Sequence, residues 1–268
     1  MTSRVISAVI AAALLIATAS YFKTTGLYVI STIAVIGCIR EYFKLTLDKA
    51  DAPTHISVGL MLLSFLTFLV TATRPDLAAS IATLSAIVLL AMCVISVRRT
   101  NDLEHAFKIA SGALVGIFYV GLFPGFAVGL LGLEHGLTLF FGLLGIVFAG
   151  DTFAYFFGRF LGKNKLLESV SPKKTIEGAL GGLLGSALIG FCLQHFFLPE
   201  LPAIQMILIA MVSGAFGQVG DLFESLVKRL ADVKDSGQIM PGHGGFLDRL
   251  DAVLFAAPIY YVLLKFLF

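Results

Sequence analysis

Six carboxylates and four cations fall between Asp221 and Asp251 of a chain that is only 13% charged overall. Asp221, Glu224, Ser225 and Lys228 are spaced i, i+3, i+4 and i+7, which sets them on one stripe of a helix with Arg229 beside it. Asp248 and Asp251, three positions apart, share a second face, with Arg249 between them. A carboxylate near the middle of a bilayer costs about 2.5–3.5 kcal/mol on insertion scales, so several together call for a cation or a wet cavity. Salt bridging with Lys228, Arg229 and Arg249 is the bland alternative. The two-charge acidic excess suits a divalent cation, and all-oxygen ligands favour magnesium over zinc.

The stretch between the two stripes ends Met240-Pro241-Gly242-His243-Gly244-Gly245. Gly244 and Gly245 let the backbone approach a ligand and leave N–H groups for an anion, helped by the helix start that follows. His243 in this setting fits phosphate contact better than general-base work. A second polar centre begins at Asp151, which the apolar runs around it should turn toward the protein interior. Asp151, Tyr155 and Gly158 share its face, with Arg159 adjoining. Ser171, Lys173, Lys174 and Thr175, just before a helix start, make a phosphate clamp. Alone, they would read as a basic loop drawn to anionic headgroups at about 1 kcal/mol per cation. Gly158–Asn164 is not a Walker A loop: its glycines are too close together and Asn164 stands where Ser or Thr belongs.

These residues need long apolar helices to hold them. The chain has 268 residues, is 58% hydrophobic and has a mean hydropathy of +0.95. A soluble domain is about a quarter charged, and a bilayer core needs about 20 apolar residues per helix. The expected fold is an all-α polytopic membrane protein with nine spans: Val5–Phe22, Leu27–Phe43, Ile56–Thr73, Leu77–Val97, Ile109–Leu131, Leu137–Leu161, Ile176–Phe197, Ala203–Leu226 and Leu247–Phe268. Residues 1–132 would form an N-terminal region of about five helices, and 133–268 a catalytic region of about four. The first span reads as an uncleaved helix rather than a signal peptide, because its apolar run is long and eight spans follow. Pro124 should kink or break the fifth. Cys38, Cys93 and Cys192 lie in apolar runs as small core residues. The seventh span carries Gly178, Gly182 and Ser186, and Gly181 and Gly185, at the spacing of closely packed helices; such faces leave room for a homodimer.

Lys and Arg divide sixteen against three between the two sides of this arrangement. By the positive-inside tendency the N-terminus and both motif loops, Lys163–Thr175 and Ala231–Gly245, should be cytoplasmic and the C-terminus external, in the plasma membrane.

Ser225–Asp251 resembles the C-terminal motif of the phosphatidate cytidylyltransferases, or CDP-diacylglycerol synthases. The resemblance rests on Ser225, Lys228-Arg229, Lys234-Asp235, Gly237, Pro241, His243-Gly244-Gly245, Phe246, Asp248-Arg249 and Asp251. Met240 stands where that family more often has Leu, Ile or Phe. The run Asp151–Arg159 and the Ser171–Gly178 element are also similar, so the motifs span roughly the last 120 residues. The resemblance implies magnesium-dependent transfer from CTP to phosphatidate, with release of pyrophosphate. It implies Asp221 and Asp248 as metal ligands, with Asp251, Glu224 and Asp151 as further candidates and room for a second cation. Lys228, Arg229, Lys173, Lys174, Ser171, Thr175, Arg249, Gly244, Gly245 and His243 would meet the phosphates. No nucleic-acid partner is implied. A CDP-alcohol phosphotransferase would need a DGxxAR run that is absent. A CTP-dependent polyprenol or phytol kinase needs the same parts, and a cation-coupled transporter could use intramembrane acids, although no internal repeat marks one.

Overall fold

The structure, a computed structural model, describes residues 2–47, 52–100, 102–237 and 244–266. It is built almost wholly of α-helices, as expected. Among the described residues seven helical segments are long and apolar enough to cross a membrane, where nine spans were expected. The chain is an integral membrane protein. It divides into two compact units: Met1–Gly129 with Leu230–Arg249, and Leu130–Arg229 with Leu250–Phe268.

In the first unit, α1 (Thr2–Leu47) takes in both of the first two expected spans. Its helical geometry breaks at Lys23, with φ 50° and ψ −137°. A side-chain carbon on Gly26 would overlap Thr18 Cγ2 and lie 2.7 Å from Phe22 Cβ, so the chain turns sharply there. Such a turn divides a 46-residue helix that would otherwise run about 70 Å. Next come α2 (Thr54–Thr73) and α3 (Ala78–Thr100). The fifth expected span is α4 (Leu103–Gly116), a π-helical turn at Ile117–Leu122, and α5 (Phe123–Gly129). Asp102 caps α4 by accepting from His105 N at 3.0 Å. Pro124 does not break this segment, which stays helical through α5. It follows the wider π turn, in which Phe123 N–H donates to Phe118 O, five residues back. Tyr42, Phe43, Leu60, Phe68, Ile117 and Val120 are buried, and Tyr42 Oη donates to Gly112 O at 3.0 Å.

In the second unit, α6 (Gly136–Phe160) and α7 (Ile176–Phe197) lie against each other along their lengths. A side-chain carbon at Gly182 would stand 3.0 Å from Gly150 O, and one at Gly185 would stand 2.7 Å from Ala149 O, so only glycine permits this approach. The small-residue face that left room for a homodimer is therefore taken by α6 of the same chain. Leu180, Leu184 and Leu188, on another face of α7, are exposed where lipid would cover them. Between α6 and α7 the chain forms a short antiparallel ribbon, β1 (Lys165–Leu167) and β2 (Ser171–Thr175), where the sequence reading had only a polar connector. Helix α8 runs Ala203–Leu230, and α9 (Leu247–Lys265) begins in the first unit and continues in the second. Among the described residues no disulfide joins the three cysteines, and Cys38 is buried.

Candidate active site

The polar residues gather in two places, one in each unit. In the second unit the site is built on the ribbon. Thr175 ends β2 and caps α7, its Oγ1 accepting from Gly178 N at 3.1 Å. Glu177, in the first turn where an acid is favoured, reaches back across the ribbon. Its Oε2 accepts from Lys163 N at 3.1 Å and its Oε1 accepts from Asn164 Nδ2 at 2.7 Å. Lys165 Nζ donates to Pro172 O at 2.6 Å. The ribbon held in this way places Lys174 Nζ 2.5 Å from Asp221 Oδ2, with the two side chains 27% and 32% exposed. A pair this open can exchange partners with an incoming anion and cation.

Asp221 and Lys174 also act electrostatically on Asp151, and Asp221, Asp151 and Lys228 act on Asp251. Asp151, expected to face the interior, is instead exposed. Glu224 is buried and pairs with Lys228 at 2.5 Å, which makes it a partner within the α8 stripe. Ser171 is half-buried in β2, while Lys173, Arg229 and Arg249 are exposed. Arg159, read as adjoining the Asp151 face, donates from Nη1 to Tyr155 Oη one turn back at 2.7 Å.

In the first unit the start of α9 is fastened by two carboxylates. Asp248 Oδ2 accepts from Ser236 N, Ser236 Oγ and Gly245 N, each at 2.8 Å. Glu41, on α1 and 4% exposed, accepts from Phe246 N at 3.0 Å and Leu247 N at 2.9 Å. Its Oε2 also lies 2.9 Å from Ser236 Oγ. That hydroxyl has one hydrogen and serves one of the two carboxylates at a time.

These bonds correct the reading of the glycine turn. The N–H groups of Gly245, Phe246 and Leu247, expected to await a phosphate, are given to Asp248 and Glu41. The helix N-terminus does bind anions, but they are the protein's own. Gly244 has φ +78°, a left-handed conformation that favours glycine. His243, with residues 238–242, lies outside the described residues.

The structure thus brings Asp151, Lys174, Asp221, Lys228 and Asp251 together in the second unit, and Ser236, Gly245 and Asp248 together in the first. Sequence reasoning missed Glu41 and Ser236. The available signal was an acid inside the apolar run that closes α1. Among the described residues no three His, Cys, Asp or Glu side chains are placed to hold a metal ion between them. The residues fit an ion held by one or two carboxylates and completed by phosphate oxygens and water, the usual magnesium arrangement, rather than an all-protein cage.

Comparison with known proteins bears on the whole chain. A sequence profile described as "Cytidylyltransferase family" matches residues 2–267. The chain is similar to the phosphatidate cytidylyltransferase of Staphylococcus epidermidis, with 41% identity over 177 residues covering 66% of this chain and 65% of that protein. It is also similar to the protein of that name from Bacillus subtilis, with 38% identity over 182 residues covering 68% and 66%. The matched region therefore spans just under two thirds of the length of these relatives.

Proposed function

Because the chain belongs to the cytidylyltransferase family, we propose that it transfers a cytidylyl group from CTP to phosphatidate, forming CDP-diacylglycerol and pyrophosphate for phospholipid synthesis. The observation that carries this reading is the half-exposed Lys174–Asp221 pair, with Asp151 and Asp251 in electrostatic reach. In the reaction an oxygen of the phosphatidate monoester attacks the α-phosphorus of CTP, and the bond from that phosphorus to the bridging oxygen of pyrophosphate breaks. Both reactants are anions, so positioning and charge neutralisation do most of the work. Lys174, released from Asp221, meets phosphate oxygens, with exposed Lys173 beside it on β2. Magnesium, when bound, would neutralise charge on the reacting phosphates. Asp221 would be the residue that holds it in the second unit, with Asp251 and Asp151 nearby in support. Asp248, the other ligand implied by the motif, has its Oδ2 fixed by Ser236 and Gly245, and ligating carboxylates are commonly oriented by such outer hydrogen bonds.

The enzyme would sit in the plasma membrane with both motif loops cytoplasmic, supported by the sixteen-to-three charge division. The lipid headgroup then stays at the interface while CTP arrives from the cytosol. Purified protein supplied with phosphatidate and CTP, labelled at either the α- or the γ-phosphate, tests the activity. Label from the α position should enter lipid, with a product mass of CDP-diacylglycerol. Entry of γ label would mean a kinase, and entry of neither would leave a transporter. Single cysteines at exposed Lys163 and Asp235 should resist an impermeant reagent added outside intact cells.

A further inference from the structure

We propose that Glu41 is a positioning residue for this transfer, its carboxylate setting the backbone of Ser236–Gly237 and Gly244–Asp248 in the reactive conformation. The inference rests on the function proposed above. A buried carboxylate is tolerated only when donors surround it, and Glu41 has them in Phe246 N, Leu247 N and Ser236 Oγ. A helix start is normally capped by a residue just before it. Here part of the cap comes from the first helix, some two hundred positions away in sequence.

The two glycines flanking the turn show how closely the chain is drawn onto that carboxylate. A side-chain carbon at Gly237 or at Gly245 would overlap the carboxylate of Glu41, and one at Gly237 would also lie 3.2 Å from Gly245 Cα. Gly237 and Gly245 therefore meet on Glu41 itself. Phe246 adds a packing contact, since a side-chain carbon at Gly37, one turn before Glu41, would overlap its ring. Ser236 extends the hold, because with its hydroxyl on Glu41 its backbone N–H still donates to Asp248 Oδ2 at 2.8 Å. The carboxylate thus sets both the start of α9 and the rotamer of Asp248. Helix α9 carries Asp248, Arg249 and Asp251 in its first turns, so a shift of its start moves all three. A misplacement of about 1 Å in residues that position reacting groups can lower rate by ~100-fold.

The test compares full-length wild type, Glu41→Ala and Glu41→Gln in detergent by two readouts. Amide exchange in the peptide 244–250 should quicken strongly in Glu41→Ala, while a peptide within α8 exchanges as in wild type. The kcat for transfer should fall by ~100-fold in Glu41→Ala, with the KM for CTP changed less than about twofold. Glu41→Gln, which keeps the shape and one acceptor oxygen, should recover part of kcat, and it replaces the alanine variant if that one does not fold. A purely structural role would lower melting temperature yet leave the kcat of the folded fraction unchanged, and that result overturns the proposal. Unchanged exchange at 244–250 overturns it as well. A wild type that transfers no cytidylyl group overturns the proposed function and the catalytic part of this inference together, whereas active variants beside an active wild type overturn this inference alone.

Discussion

Each of two loops in this protein is fastened by a glutamate, one from nearby and one from far along the chain. Glu177 holds the ribbon by accepting from residues 13 and 14 positions before it. Glu41 holds the turn into α9 by meeting residues 195 to 206 positions after it. The nearby clamp is half-exposed and presents a lysine to solvent. The distant clamp is buried and turned wholly toward backbone and a serine. The same chemistry, carboxylate oxygen accepting from N–H, therefore serves two ends. At the surface it shapes a loop that must exchange partners with substrate, and in the interior it fixes a helix start that must not move.

The largest expected effects set the two regions against each other. Asp221→Asn and Asp248→Asn should each lower turnover by more than the ~10–100-fold that loss of an outer-shell partner brings. Their stabilities should differ. Asp221 belongs to a partly exposed ion pair contributing only ~0–1 kcal/mol, so its melting temperature without metal should hold. Asp248 accepts charge-assisted bonds from Ser236 and Gly245 that contribute about 1.5–3 kcal/mol each, so Asp248→Asn should melt lower. Equal melting temperatures would break the distinction between an exchanging site and a fixed one.

Next in size is Lys174→Ala, which should raise KM for the phosphate substrates by about tenfold, the equivalent of one charge-assisted hydrogen bond, with melting temperature unchanged. Steady-state kinetics on both substrates would check it, and normal constants would remove the clamp. Glu177→Gln should have a smaller effect on activity. It leaves some of the N–H groups of Lys163 and Asn164 to water, which can replace a half-exposed acceptor far better than a buried one, so a change of roughly threefold in KM is expected. A loss as large as that expected for Glu41→Ala would show that the two clamps are equivalent. The smallest effect belongs to Arg74→Ala. Its pair with Asp76 is 64% and 51% exposed, so removing it should leave the melting temperature essentially where it is in wild type, measured by thermal melting.

The same division between near and far explains what could be read in advance. The run Ile176–Phe197 was expected as a helix and is one with those bounds, because polar sequence closes it at the start and Pro199 follows its end. The α8 stripe was legible from spacing, but the Glu224–Lys228 pair one turn apart answers to the bland salt-bridge alternative rather than to the metal role expected of Glu224. The ribbon was missed because its strands are only three and five residues long, too short for an alternating pattern to stand out. The glycine turn was misread for a different reason. Spacing correctly marked N–H groups able to bind an anion, but the anion is a side chain from α1, and no local pattern names a partner so distant. The division at Lys23 was anticipated as a polar break between apolar runs, while its left-handed backbone was not.

The reach of Glu41 also places it in time. Ribosomes add about 5–20 residues per second, so the roughly two hundred residues separating Glu41 from Leu247 take about 10–40 s to appear. Throughout that interval α1 is already synthesised and bound for the membrane, while the backbone donors that satisfy its carboxylate do not yet exist. Glu41 lies in the last two turns of α1, six residues before Leu47. Maturation of the first helix is thus completed only when the last helix begins, and a nascent chain halted before Phe246 carries a carboxylate in α1 without its native backbone donors.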